Sequence, residues 1–148
     1  MIDCMRVSLA LVLVGSLGMT ACASVAGEPL ASQVQSASMG TPFTLKPGET
    51  ARVTSEQAQV RFDRVTADSR CPRNVQCVMA GEATVRVSVT LRGQAERTLE
   101  LRTTPQDEQT PAGDYLLKVA DLVPLPDAGR PVKPADYRAT FILTPAPK

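Results

Sequence analysis

Alternation of apolar and polar residues with a period of two is the feature of this sequence that most constrains its fold. Along residues 84–92, polar side chains separate the four apolar residues Val85, Val87, Val89 and Leu91. Successive side chains of a β-strand point to opposite faces, whereas a helix would scatter these four around its axis. Valine and threonine also disfavour a helix because their branched Cβ restricts the side chain. The run therefore predicts a strand with one buried face.

The same pattern recurs along the chain and predicts an all-β fold. A turn at Gly93 and Gln94 leads to a second alternating run at residues 98–102, which predicts a hairpin. Further short strands are predicted at residues 43–45, 51–53, 59–64, 115–119 and 137–143. About seven short antiparallel strands favour a small immunoglobulin-like β-sandwich of residues 42–148, and a small open β-barrel is the alternative.

Several stretches predict interruptions of the strands. Val65 breaks the alternation, which indicates a bulge or a strand end. Residues 103–114 are polar and contain prolines, so they predict a loop, and the proline-rich residues 123–134 predict a surface connection. The tail at residues 145–148 is predicted to lie outside the sheets for the same reason.

An apolar run near the N-terminus predicts export from the cytoplasm. Arg6 precedes the apolar residues 7–17, which is the arrangement of a signal peptide. The run is shorter than the roughly 20 apolar residues of a membrane span. Translation can start at Met1 or at Met5, and the second start gives a simpler basic opening.

Residues 17–22, Leu-Gly-Met-Thr-Ala-Cys, resemble the lipobox of bacterial lipoproteins. The resemblance implies that residues 1–21 are a signal peptide and that Cys22 carries acyl groups such as palmitate, which anchor the chain in a membrane. Ala23 favours the outer membrane, facing the periplasm. Cleavage without lipid, after Ala23 or Ala26, is the alternative. Residues 22–41 are small and polar and predict a flexible tether, with a short helix at residues 30–34 as the alternative.

Two cysteines, Cys71 and Cys77, remain once Cys4 leaves with the signal peptide and Cys22 takes lipid. Export permits a disulfide between them, and closing so short a ring contributes about 2.4 kcal/mol. Such a loop is a structural staple, a recognition loop or a redox site. The spacing is not C-x-x-C, which argues against redox chemistry.

If the loop is a recognition site, polar side chains around the ring are the candidates. Gly81, after the ring, is predicted to supply a backbone conformation that other residues resist. The candidate recognition residues are Asp68, Arg70, Arg73, Asn74 and Gln76.

The segment Asp68-Ser69-Arg70-Cys71-Pro72, followed by Cys77 and then by Ala80-Gly81, resembles a loop of small uncharacterised bacterial lipoproteins and secreted β-domain proteins. In that family an aromatic residue follows the second cysteine, and here Met79 stands in its place. The resemblance implies a β-rich envelope protein and brings no activity with it.

The composition argues against several classes of function. The chain has no histidine, which removes the commonest general base and transition-metal ligand. Its net charge is +1 and its charges are interspersed, so we expect no nucleic-acid partner. We therefore expect no catalytic residues, metal or cofactor, and a non-enzymatic envelope lipoprotein that binds or supports another envelope component. The alternative is an inhibitor of a secreted or periplasmic hydrolase that presents the Cys71–Cys77 loop.

Overall fold

Two packed β-sheets form the part of the chain that a computed structural model describes, residues 33–105 and 108–148. These residues contain no α-helix, only one 3-10 turn at Pro134–Asp136. The strands are β1 Val34–Ala37, β2 Phe43–Leu45, β3 Thr50–Val53, β4 Ala58–Asp68, β5 Ala83–Thr90, β6 Arg97–Arg102, β7 Thr110–Ala112, β8 Tyr115–Val123 and β9 Arg138–Pro145.

The strand order confirms the predicted β-sandwich. One sheet has the order β1-β3-β4-β5-β6 and the other has the order β2-β9-β8-β7, and the two do not join into a barrel. All pairs are antiparallel except β1 and β3, which run in parallel. The described residues thus form nine strands where the alternation predicted about seven.

The core lies between the sheets and is built from the alternating apolar residues. Val85, Val87 and Val89 of β5 are buried, as are the inward-facing residues of β9. Phe62 of the first sheet meets Phe141 of the second edge to face, with ring centroids 5.8 Å apart. This packing fixes both sheets and therefore the loops at their ends.

The predicted flexible tether is wrong for its last part. Residues 34–37 form β1, which pairs with β3 from Val34↔Thr50 to Ala37↔Val53. Without β1, β3 would be an edge strand with unpaired backbone groups, and β1 pairs with them. The side-chain amide of Gln35 also donates to the Thr44 carbonyl at 2.8 Å. The predicted signal peptide, the proposed acyl site Cys22 and the tether up to residue 32 lie outside the described residues.

Two predictions about proline also need correction. The predicted loop at residues 103–114 contains β7, where Pro111 pairs with Leu116. The strand tolerates proline because it is the edge of its sheet. Strand β9 likewise continues to Pro145, which pairs with Tyr115.

The break at Val65 is a confirmed bulge, since β4 shifts register against β5 on both sides of it.

The described residues include no helix with the length and apolar character of a membrane span.

Candidate functional site

The segment between β4 and β5, residues 69–82, carries a disulfide between Cys71 and Cys77, as predicted. The two Cα atoms lie 6.0 Å apart. Below the ring, the Ser69 amide donates to the Glu82 carbonyl at 2.8 Å, and the Cys71 amide donates to the Ala80 carbonyl at 2.9 Å. These bonds continue the β4–β5 ladder beyond the sheet, so the ring sits on a paired neck.

Gly81 makes the close approach of the two sides of this neck possible. Its φ is +66°, and a Cβ at this position would lie 1.9 Å from the backbone oxygen of Ser69. A larger residue would therefore be strained and would also collide with backbone atoms. The predicted backbone role of Gly81 is confirmed.

A buried ion pair, which we call the Arg70 clamp, joins the neck to the second sheet. Arg70 Nε donates to Asp68 Oδ1 at 2.9 Å and Arg70 Nη2 donates to Asp68 Oδ2 at 2.7 Å. The guanidinium also donates to the carbonyl oxygens of Leu122 and, at 2.8 Å, of Pro124, at the end of β8. Only 9% of the Arg70 side chain and 10% of the Asp68 side chain are exposed. The clamp therefore fills the space beside the last residues of β8.

Tyr137 is the third member of the clamp. Its hydroxyl donates to Asp68 Oδ2 at 2.9 Å. Burial by itself would raise the pKa of Asp68, but hydrogen bonds from Arg70 and Tyr137 outweigh it and hold that pKa below its usual value. Burial and the bond to Asp68 raise the pKa of Tyr137 to about 12. At neutral pH Asp68 is thus a carboxylate and Tyr137 a neutral phenol.

This geometry corrects the prediction that Asp68 and Arg70 are displayed for recognition. Both side chains are consumed by hydrogen bonds within the fold, and neither offers a charged group to a partner. The Asp68 carboxylate also accepts a bond from the backbone amide of Arg70 at 3.2 Å, as aspartate does in a turn. The two residues hold the loop in place.

Arg73 makes a second, exposed contact between the ring and the segment that connects β8 to β9. Its Nε and Nη2 each lie 3.1 Å from one carboxylate oxygen of Asp127, and its backbone amide donates to the Pro126 carbonyl at 2.9 Å. The side chains of Arg73 and Asp127 are 56% and 35% exposed. Arg73 is thus accessible, as predicted, but its charge is already paired.

Residues 74–79, which we call the tip, expose apolar side chains that are not among the predicted recognition residues. Val75 lies inside the Cys71–Cys77 ring, whereas Val78 and Met79 directly follow it. Val75, Val78 and Met79 are 46%, 103% and 79% exposed, beside the exposed Asn74 and Gln76. These three apolar residues belong to no alternating run, and that lack of a buried face is the signal that could have identified them. The tip therefore presents three apolar and two polar side chains.

A shallow hollow lies between the neck and the edge of β8. Its volume is about 440 Å³, and Arg70, Gly81, Thr104, Leu122 and Leu125 are among its lining residues. The Arg70 guanidinium already donates to Asp68 and to two carbonyl groups. The hollow therefore does not combine a free acid with a free base. Within residues 33–105 and 108–148, no three His, Cys, Asp or Glu side chains are grouped so as to hold a metal ion.

Comparisons of the chain with family models, with curated proteins and with solved structures gave no match.

Proposed function

We propose that this chain is a non-enzymatic lipoprotein of the bacterial cell envelope, anchored through Cys22 and facing the periplasm from the outer membrane. In this proposal the β-sandwich is a binding or structural module, and the tip, residues 74–79, is its contact surface. The observation that carries the proposal is the contrast between a neck fixed by the buried Arg70 clamp and a tip that exposes Val78 and Met79.

A fixed neck and an apolar tip favour binding for two physical reasons. Covering a fully exposed valine or methionine side chain contributes about 1.5–3 kcal/mol. A loop held by a disulfide and by the clamp loses little conformational entropy when it binds. Both terms support association with another envelope component.

The anchor is tested by mass spectrometry of the mature protein from envelope fractions. We expect the N-terminal residue to be Cys22 carrying acyl chains, and we expect Cys71 and Cys77 to be oxidised. A Cys22→Ser variant should leave the membrane fraction. A mature chain without acyl groups would contradict the proposed anchoring.

The contact surface is tested by peroxide footprinting, with Met79 as the probe. Met79 is exposed at the tip, whereas Met39 is partly buried against the core and serves as the internal reference. We expect Met79 to oxidise several-fold more slowly in intact envelopes than in the purified protein, while the rate at Met39 stays the same. Equal rates at Met79 in both samples would show that nothing covers the tip.

An inhibitor of a secreted or periplasmic hydrolase remains the second candidate, because a disulfide-closed ring with the exposed Val78 directly after it can enter an enzyme cleft. The purified protein would then inhibit a protease or a muramidase. Val78→Asp should abolish that inhibition without lowering thermal stability. Absence of inhibition across a panel of envelope and secreted hydrolases would remove this candidate.

A further inference from the structure

The exposed apolar side chains of the sandwich are concentrated at one end. We call this end the loop pole and define it as residues 68–82 and 123–137, which contain the ring and the β8–β9 connection. Five of the six large apolar residues that are exposed in the described part of the chain lie there. The five are Val75, Val78, Met79, Val123 and Leu125. The turns at the other end, residues 54–57, 91–96 and 113–114, contain none.

The sixth exposed residue, Val34, begins β1, and the direction of β1 relates the N-terminal segment to the loop pole. Strand β1 runs parallel to β3, which pairs antiparallel with β4 from Thr50↔Arg61 to Val53↔Ala58. Strand β4 runs toward the loop pole and ends there at Asp68. The N-terminal end of β1 therefore faces the loop pole, and the chain from Cys22 joins the sandwich on that side.

The length of the connecting chain allows this end to reach the membrane. Val34 lies level with Arg61, because both pair with Thr50. Arg61 and Asp68 pair with Ser88 and Ala83 of β5, and Asp68 is the end of β4 at the loop pole. The distance from Val34 to the pole is therefore about 17 Å at the usual rise per residue. Residues 23–33 separate Cys22 from Val34, and such a segment spans at most about 40 Å when extended. A lipid on Cys22 can therefore hold the sandwich with its loop pole against the bilayer.

The charges of the loop pole are balanced. Its four acidic side chains, Asp68, Glu82, Asp127 and Asp136, equal its four basic ones in number. The basic side chains are Arg70, Arg73, Arg130 and Lys133. Two of these arginines are paired with Asp68 and Asp127. Attraction to anionic lipid therefore contributes little, and contact with a bilayer would depend on the apolar side chains.

We propose that the component bound by the loop pole is the lipid bilayer itself, and that Val75, Val78 and Met79 insert among the headgroups beside the acylated Cys22. This inference rests on the proposed function, since the acyl anchor supplies the high local concentration that lets a small apolar tip bind. All three side chains are exposed, and the paired neck and the Arg70 clamp hold the segment that carries them.

Tryptophan fluorescence tests this contact, because the natural chain contains no tryptophan. The acylated full chain with Met79→Trp is reconstituted in vesicles of phosphatidylethanolamine and phosphatidylglycerol that contain brominated acyl chains. Ser55→Trp, at an exposed turn of the opposite end, is the matched control. We expect the bromines to quench residue 79 by about half or more and residue 55 by about a tenth or less. Zwitterionic vesicles should give the same quenching.

A second substitution separates insertion from mere proximity. Val78→Asp added to Met79→Trp should reduce the quenching about threefold, while the unfolding temperature and the anchoring stay unchanged. Equal quenching at residues 79 and 55 would overturn the inference. Residue 79 that is solvent-like on vesicles and protected only when envelope proteins are added would also overturn it, and the proposed function would then stand with a protein partner. If the mature chain isolated from envelopes carries no acyl groups, the proposed function itself is refuted.

Discussion

The loop pole contains two arginine–aspartate pairs of nearly the same geometry in very different surroundings. Arg70 and Arg73 are three residues apart, and each binds both carboxylate oxygens of an aspartate. About nine-tenths of the Arg70 and Asp68 side chains is buried, whereas Arg73 is 56% exposed. Removing one member of the first pair would leave a buried charge without a partner, while water replaces the partner in the second. Burial therefore decides which pair supports the fold.

The comparison is tested most strongly by Arg70→Ala. The substitution leaves the Asp68 carboxylate and two carbonyl groups buried without their donor, so we expect the free energy of unfolding to fall by about 3–5 kcal/mol. Urea denaturation measures the loss. Arg70→Lys keeps the charge but not the paired donors, and it should lose less. A loss below about 1 kcal/mol for Arg70→Ala would mean that the buried pair is no more important than an exposed one.

The next effect is expected at alkaline pH and comes from Tyr137. Its pKa is about 12 in the folded protein against 10.0 for an ordinary tyrosine. A raised pKa gives stability that is fully present below pH 10 and is lost as the pH rises toward 12. The loss reaches at most about 2.7 kcal/mol. Stability curves of the wild type and of Tyr137→Phe should converge over this interval, and parallel curves would show that the phenol is not held neutral.

Removal of the disulfide is expected to have a slightly smaller effect. The double variant Cys71→Ser, Cys77→Ser frees a short ring in the unfolded chain, and the expected loss is about 2.4 kcal/mol. The neck should survive, because the Arg70 clamp and the backbone bonds of Ser69 and Cys71 do not need the ring. Hydrogen exchange would then become faster at residues 74–79 and stay slow at residues 68–71. Fast exchange in both segments would show that the neck depends on the disulfide.

Arg73→Ala gives the smallest expected change and is the matched control for Arg70→Ala. An exposed ion pair contributes about 0.2–1 kcal/mol, and salt screens it. We expect the small difference from the wild type to disappear at high salt. A loss comparable to that of Arg70→Ala would mean that the two pairs are equivalent after all.

The sequence predicted the sandwich and the disulfide because both depend on local patterns. The alternation at Val85, Val87 and Val89 is enough to assign a strand with one buried face. The difference in burial between Arg70 and Arg73 does not depend on the local sequence. Arg70 is buried by the end of β8, and its bond to Leu122 joins residues 52 positions apart. No pattern near Arg70 reports that approach, and the four residues of β1 are too few for alternation to separate them from a linker.

The parallel pairing of β1 and β3 determines how the sandwich responds to a pull on its N-terminal segment. Its four residue pairs, from Val34↔Thr50 to Ala37↔Val53, lie side by side along the strand axis. A force that draws residue 33 along this axis, toward the loop pole, loads the hydrogen bonds of β1 in shear. They must then give way together, whereas a force across the sheet would unzip them one after another. The parallel direction of β1 thus makes this short edge strand a mechanically resistant point of attachment.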